Sequence, residues 1–367
     1  MKDPSPPVTY ADYLKIDQLL SLQSEKSAER YGKAAHEELL FIVVHQAYEL
    51  WFKQILHELD SVTEIFKKDY IDERHVGIAV LRLRRILEIQ KILIEQIRVL
   101  ETMTPLDFLD FRDLLAPASG FQSYQFRLIE NKLGLRREQR KLFDKTQYDE
   151  HLEAKHRELV RQSENEPSLF VLVGKWLERT PFIDFKGFNF WQSYRGAVET
   201  MLNSDKEAIQ NNPNLSDEDR KKQLAHFVKT TKEFTAIFDE SEHDRLREKG
   251  VRRMSFKALQ AALLINLYRD EPILHLPFRL LTSLIDIDDL MTTWRHRHAL
   301  MVQRMIGAKV GTGGSSGHHY LRAVAEGHKI FTDLTNLSTF FIPRSKLPKL
   351  PDEVQRNLGF YYSKQEA

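Results

Sequence analysis

The sequence predicts an all-α fold, a large helical core carrying one small charged helical insert, and three observations carry that expectation. Only 15 glycines and 13 prolines occur in 367 residues, fewer than the roughly 12% of an average chain, so long uninterrupted elements are favoured. Apolar residues recur at spacings of three and four through several long stretches, as in helices with one face turned inward. Strict apolar/polar alternation is almost absent, and the run FFIPR at 340–344 is too short to found a sheet.

Residues 1–35 read as a proline-containing arm and lead-in, with Tyr10 and Tyr13 three apart so that one helical turn presents both on one side. Residues 36–66 follow as a long, deeply buried helix with Leu40, Val44, Ala47, Trp51, Ile55, Leu59, Val62 and Phe66 in register. Residues 76–103 repeat the pattern through Ile86, Ile89, Leu93, Ile97 and Leu100. Pro105 permits a new start, and LDFLDFRDLL reads as a short helix ending before Pro117. An amphipathic segment, 121–132, is stopped by Gly134. Residues 204–250 differ: 20 of these 47 are charged, against 29% for the chain, and the capping box from Ser216 to Asp219 opens a helix ending near Gly250. This insert divides the core into 36–203 and 251–367. From Met254 the core pattern returns, is interrupted at Pro272 and Pro277, and runs from Leu280 to Val310 before the loop GTGGSSG at 311–317. No period of 20 to 50 residues marks a solenoid.

Lys and Arg number 54 against 53 Asp and Glu, a net charge of +1, which supplies no field for releasing counterions, so nucleic acid is not an expected partner. The absence of cysteine excludes disulfides, thiolate nucleophiles, iron–sulfur clusters and thiolate haem ligands together. Any metal must be held by His or carboxylate. The N-terminal residues show neither a signal-peptide core nor an Arg-rich transit pattern, so a cytoplasmic location is expected. The longest apolar run, Leu39 to Val44, falls far short of the roughly 20 residues that cross a bilayer, and no membrane helix is expected. The glycosylation-type triplets at Asn214 and Asn336 read as chance matches.

Helical position sorts the 14 histidines. His296 and His298 in WRHRH stand about 200° apart on a helix and cannot share a metal. His298 shares the apolar stripe of Met291, Trp294, Met301 and Met305, whereas His296 keeps company with Thr292, Thr293 and Gln303. Periodicity admits two readings of His298, a core histidine bonded to a backbone carbonyl and an axial ligand to a metal in an apolar pocket. His45, among Phe41, Val44, Tyr48 and Phe52, poses the same choice. No HExxH, Asp-rich loop or Glu-x-x-His pair accompanies either as in a non-haem site, and a lone His amid aromatics and methionines suits haem better than a bare ion. Arg112, with Phe108 and Leu115 on its face, needs an anion: an internal carboxylate, or a ligand carboxylate gripped by its fork. GTGGSSG fails as a phosphate cradle, since no GK[ST] follows and a helix precedes it. It reads either as a linker or as a loop closing over a polar ligand through N–H groups and the Thr312 hydroxyl.

The segments HEELLFIVVHQAYELWFKQILHELDSV, LETMTPLDFLDFRDLLAPASGFQSYQFRLIENKLG, WLERTP with GFNFW, LLTSLIDIDDLMTTWRHRHALMVQRMIGAKVGTGGSSGHHYLR and LSTFFIPR together resemble the tryptophan 2,3-dioxygenase family. The resemblance runs from about Tyr10 to FFIPR with the blocks in order, leaves 204–250 and the ends free, and is similar in form to animal members rather than to the shorter bacterial ones. It implies an all-α homotetramer with one haem b per subunit. The implied reaction, the first step of tryptophan catabolism along the kynurenine pathway, inserts both atoms of O₂ across the indole C2–C3 bond of L-tryptophan to give N-formyl-L-kynurenine. By resemblance His298 is the proximal iron ligand, Trp294 and Tyr320 stand beside the haem, and Arg127 meets a propionate. Arg112 binds the substrate carboxylate, Phe41, Phe108 and Leu115 form the indole pocket, Ser119 and Gly120 its floor, and Thr312 meets the substrate ammonium. His45 is the distal histidine near the indole N–H, and Tyr10 and Tyr13 belong to an arm that reaches a neighbouring subunit's site. His318, where the family often has an aromatic, departs from the pattern without touching these assignments. A haem-based gas sensor is the rival expectation, sharing His298 without needing Arg112; a purely structural helical scaffold needs neither.

Overall fold

The computed structural model describes residues 7–140, 147–181, 184–185, 188–309 and 318–359. Three short helices lead in: α1 (Tyr10–Leu14), α2 (Ile16–Leu20) and α3 (Lys26–Tyr31). Thr9 caps α1 by accepting from the Asp12 N–H, and Lys15, in the left-handed region at φ 54°, turns the chain into α2. Neither α1 nor α2 buries a residue. The Glu38 carboxylate then fastens α3 to the core by accepting from the backbone N–H groups of Lys26 (2.8 Å) and Ser27 (3.0 Å).

The two long helices form over nearly the spans their periodicity predicts, as α4 (His36–Phe66) and α5 (Glu73–Leu100). Asp72 starts α5 earlier than the apolar pattern does, capping it through the His75 N–H at 3.1 Å. They pack along one another, and two hydrogen bonds fix their register: Tyr48 Oη donates to the Leu93 carbonyl (2.7 Å) and Gln96 Nε2 to that of Val44 (2.9 Å). Helix α6 (Pro105–Arg112) has a capping box between Thr104 and Asp107 with Pro105 in its first turn. It ends three residues before the predicted Leu115, because the Leu114 and Leu115 N–H groups bond three residues back and tighten the chain into a turn.

Helix α7 (Tyr124–Leu133) is capped by Ser123 and ended by Gly134. With φ at +124°, Gly134 holds a conformation that L side chains rarely adopt, and a Cβ there would lie 2.7 Å from Phe170 Cβ. Helices α8 (Ala154–Asn165) and α9 (Leu169–Leu177) follow, then a ribbon, β1 (Asp184–Phe185) against β2 (Phe188–Asn189), which the sequence pattern did not reveal. Two residues per strand leave the class all-α.

Helix α10 (Phe190–Asn211) runs unbroken through residue 204. The charged stretch forms two helices, α11 (Asp217–Ala236) and α12 (Glu240–Glu248), rather than the single one expected to reach Gly250. The division arises because Asp239 caps α12 through the Ser241 and Glu242 N–H groups. Phe234 and Ile237 are buried in the main core, and Phe234 meets Phe340 edge-on at 5.6 Å. Helices α13 (Phe256–Leu267), α14 (His275–Ile306), α15 (His318–Gly327), α16 (Thr332–Thr335) and α17 (Asp352–Leu358) complete the chain. Pro277 lies in the first turn of α14, where its missing N–H has no helical partner to lose. Helix α14, which carries the WRHRH segment, packs along α5 and against the short α15. Among the described residues no helix is long and apolar enough to cross a membrane.

Candidate active site

A cavity of about 300 Å³ opens between α4, α6, α7, α14 and α15, with residues 119–123 on one side. The elements deliver its groups through helical repetition. On α4 the i, i+4 spacing sets Phe41 and His45 on the cavity face, and on α14 the same spacing sets Trp294 and His298 opposite. Phe41 stacks on Phe108 (centroids 5.7 Å apart), and Phe111, fully buried, closes the cluster edge-on against both at 5.6 and 5.4 Å.

The two histidines are held differently. His45 Nδ1 lies 2.7 Å from the Phe41 carbonyl; a carbonyl only accepts, so Nδ1 carries the proton and donates. Burial pushes the His45 pKa down, against the pull of the Phe41 carbonyl and Glu49. The ring is therefore neutral at physiological pH, with Nε2 as an acceptor. His298 stacks on Trp294, the planes 3° apart and the centroids 5.2 Å apart. Burial, and secondarily the facing His45, push its pKa down to about 4. Neither of its ring nitrogens is hydrogen-bonded to another described residue.

One wall is strongly basic. Glu130 on α7, fully buried, accepts from Arg127 Nη1 (3.1 Å), Arg295 Nη2 (2.8 Å) and Arg140 Nη1. Burial alone raises a carboxyl's pKa, yet Arg140, His328, Arg127 and Arg295 hold this one well below its ordinary range. Three guanidiniums thus share one carboxylate, and the Nε–H groups of Arg127, Arg140 and Arg295 have no hydrogen-bond partner among the described residues. Arg127, Glu130 and Arg295 face the cavity.

Of the residues singled out by sequence, Phe41, His45, Phe108, Arg112, Ser119, Gly120, Arg127, Trp294 and His298 line this one cavity. Leu115 packs in the adjoining cluster with Phe41, Phe108 and Phe111. Thr312 and the rest of GTGGSSG lie outside the described residues. Tyr320 is on α15, and the description of that position stops at its backbone. Tyr10 and Tyr13 are away from the cavity, 77% and 76% exposed. His296, two residues from His298, does not line it. Sequence reading gave no site role to Glu130, Arg295 or Phe126. Glu130 stands three residues after Arg127, a spacing that hints at the ion pair, but nothing local foretells that Arg295 joins it from 165 residues away.

The apolar cavity, the neutral imidazole on α14 and the basic wall define a helical protein with a concave site for a ligand that is apolar over most of its surface and anionic at an edge. The family model described as Tryptophan 2,3-dioxygenase matches residues 2–341. The tryptophan 2,3-dioxygenase of Bdellovibrio bacteriovorus is 55% identical over 97% of this chain and 99% of its own length. That of Dictyostelium discoideum is 50% identical over 97% and 89%, and that of Rattus norvegicus 48% identical over 93% and 84%. The chain belongs to the tryptophan 2,3-dioxygenase family. The likeness extends to bacterial relatives of the same length as well as to animal ones.

Proposed function

We propose that this chain is a haem-dependent dioxygenase that adds O₂ across the indole C2–C3 bond of L-tryptophan to give N-formyl-L-kynurenine. Membership in the family supports the reaction, and the observation that carries the site is the convergence of His298, His45, Arg112 and the basic wall on one cavity. Haem b, one per subunit, fits these residues. His298, with no hydrogen bond to another described residue, would hold the iron, the aromatic rings of Phe126 and Trp294 would pack on the haem, and the Nε–H of Arg127, without a partner among the described residues, would meet a propionate.

When bound, haem iron supplies the activation of O₂. The chain's own residues do the rest. His298 is neutral down to about pH 4, so it can ligate without first losing a proton. Arg112 offers a planar fork to the substrate carboxylate, and by the family resemblance Thr312, outside the described residues, would supply a hydroxyl to the ammonium. Phe41, Phe108 and Leu115 clasp the indole over the floor of Ser119 and Gly120. His45 accepts from the indole N–H through Nε2, its ring already oriented by the Phe41 carbonyl. Together they would orient the indole C2–C3 bond for reaction, a proximity effect, and by the family resemblance Trp294 and Tyr320 would help hold the haem.

The same reading makes the protein a homotetramer whose arm completes a neighbour's site. Helices α1 and α2 are five residues each and bury nothing, and apolar area left in water at Val8, Tyr10, Tyr13 and Leu20 favours a covering partner. Deleting residues 1–15 should weaken tryptophan binding and loosen assembly while haem binding persists. Hybrids of that chain with a full-length Arg112→Ala chain should regain some activity; none in verified hybrid tetramers would mean that each arm serves its own subunit or none.

Haem reconstitution followed by tryptophan and O₂ tests the whole. A Soret band with N-formylkynurenine formation supports the enzyme, a Soret band with O₂ binding but no product supports a gas sensor, and no Soret band supports a scaffold.

A further inference from the structure

We propose that Glu130 is a positioning residue that sets the charge at the basic wall, holding Arg127 and Arg295 against the cavity and leaving a surplus of positive charge that favours ferrous haem. The inference rests on the haem reading above and adds a residue to which neither the sequence nor the family likeness gave a role.

Four separate segments converge on this carboxylate. Arg127 comes from α7, Arg140 from the turn that follows Gln139, Arg295 from α14, and His328, whose Nδ1 lies 3.7 Å from Oε1, from the end of α15. Glu130 is fully buried, and the three arginines are 4 to 8% exposed. Among the described residues Glu130 is the one carboxylate in ion-pair contact with these three guanidiniums, Asp288 acting on Arg295 without an ion pair, so before a propionate meets Arg127 the wall is net positive in a medium where water screens little. Arg127, Glu130 and Arg295 line the same cavity as His298, so a change of charge here is felt at an iron held by that histidine. Arg140 contributes from behind the wall. It lies 4.0 Å over the Tyr148 ring, donates to Asn131 Oδ1 at 2.6 Å, and does not line the cavity.

Charge tuning and simple bracing differ in sign. Removing the carboxylate's charge increases the surplus, stabilises the ferrous state and raises the haem midpoint potential; removing a guanidinium does the opposite. A brace has no such antisymmetry, because losing either partner loosens the same contact.

The test is a spectroelectrochemical titration of haem-loaded wild type, Glu130→Gln, Glu130→Asp and Arg140→Gln. At fixed potential the ferrous-to-ferric ratio should rise by about threefold to tenfold in Glu130→Gln and fall by a similar factor in Arg140→Gln, tenfold being about 59 mV for one electron. Glu130→Asp keeps the charge and should stay near wild type. Shifts of the same sign in Glu130→Gln and Arg140→Gln, or none, overturn the proposal, as does an Asp variant that moves with the Gln variant. If Glu130→Gln gives no soluble protein, the direction in Arg140→Gln decides alone, a fall supporting the proposal and a rise or no change overturning it. A wild type that takes up no haem overturns the functional reading itself, an outcome distinct from wild type loading normally while the variants fail to diverge.

Discussion

His45 and His298 occupy opposite walls of one cavity on helices of 31 and 32 residues, yet only one is tethered. The Phe41 carbonyl fixes the tautomer and tilt of His45, whereas His298 stacks on Trp294 and has no hydrogen bond to another described residue. A tethered imidazole is prepared to accept one hydrogen bond in one direction. The His298 imidazole faces the cavity, and ligation there would break no hydrogen bond to another described residue. The proposed division, a ligating role on α14 and an orienting role on α4, rests on this difference, though both residues are histidines on apolar stripes.

The asymmetry can be broken from either side. The largest effect belongs to His298→Ala, which should abolish tight haem binding and all activity in a haem titration, while His296→Ala retains both. Arg112→Lys comes next. Ammonium cannot replace the bidentate fork, so kcat/KM for tryptophan should fall about 100-fold, within the range for a truncated buried charge pair. Tryptamine, which lacks the carboxylate, should be poor for wild type and lose little further in the lysine variant; equal losses on both substrates would give Arg112 a different partner. His45→Phe removes one neutral hydrogen bond and should lower kcat/KM about tenfold with haem content intact. Loss of haem instead would mean that His45 ligates.

The smallest effect appears without cofactor. The pKa values of His45 and His298 are both lowered from 6.5, so below pH 6.5 the unfolded chain takes up protons that the folded chain refuses. The linkage makes apoprotein stability fall as pH drops from about 6.5 toward 4, with no contribution from these groups above that range. His243 and His328, also lowered by burial, act with the same sign. Urea midpoints across this range should show a shallower decline in His298→Leu than in wild type, and parallel declines would place the proton uptake elsewhere.

What the sequence made legible follows how local each signal is. The spans of α4 and α5 could be read because their core residues repeat one period, whereas α14 begins at His275 and ends at Ile306 rather than running from Leu280 to Val310, since Pro277 is tolerated in its first turn and Gly307 stops it. His298 could be told from His296 because one step along a helix is 100°. Resemblance, rather than periodicity, separated the roles of His45 and His298. The break between α11 and α12 was missed although Asp239 carries a cap signal, because the charged stretch around it has no apolar period to interrupt. Glu130 was missed for a deeper reason: its arginines at 127, 140 and 295 meet only after α7 and α14 have packed. The ribbon at 184–189 has strands too short for alternation to register.

The iron–imidazole stretching band in the resonance Raman spectrum of the ferrous, haem-loaded protein tests the division between the two histidines most directly. The band should be present in wild type and persist in His45→Ala and His296→Ala, and it should be absent from His298→Ala even with haem supplied in excess. A band that survives in His298→Ala and disappears in His45→Ala would reverse the roles of the two walls.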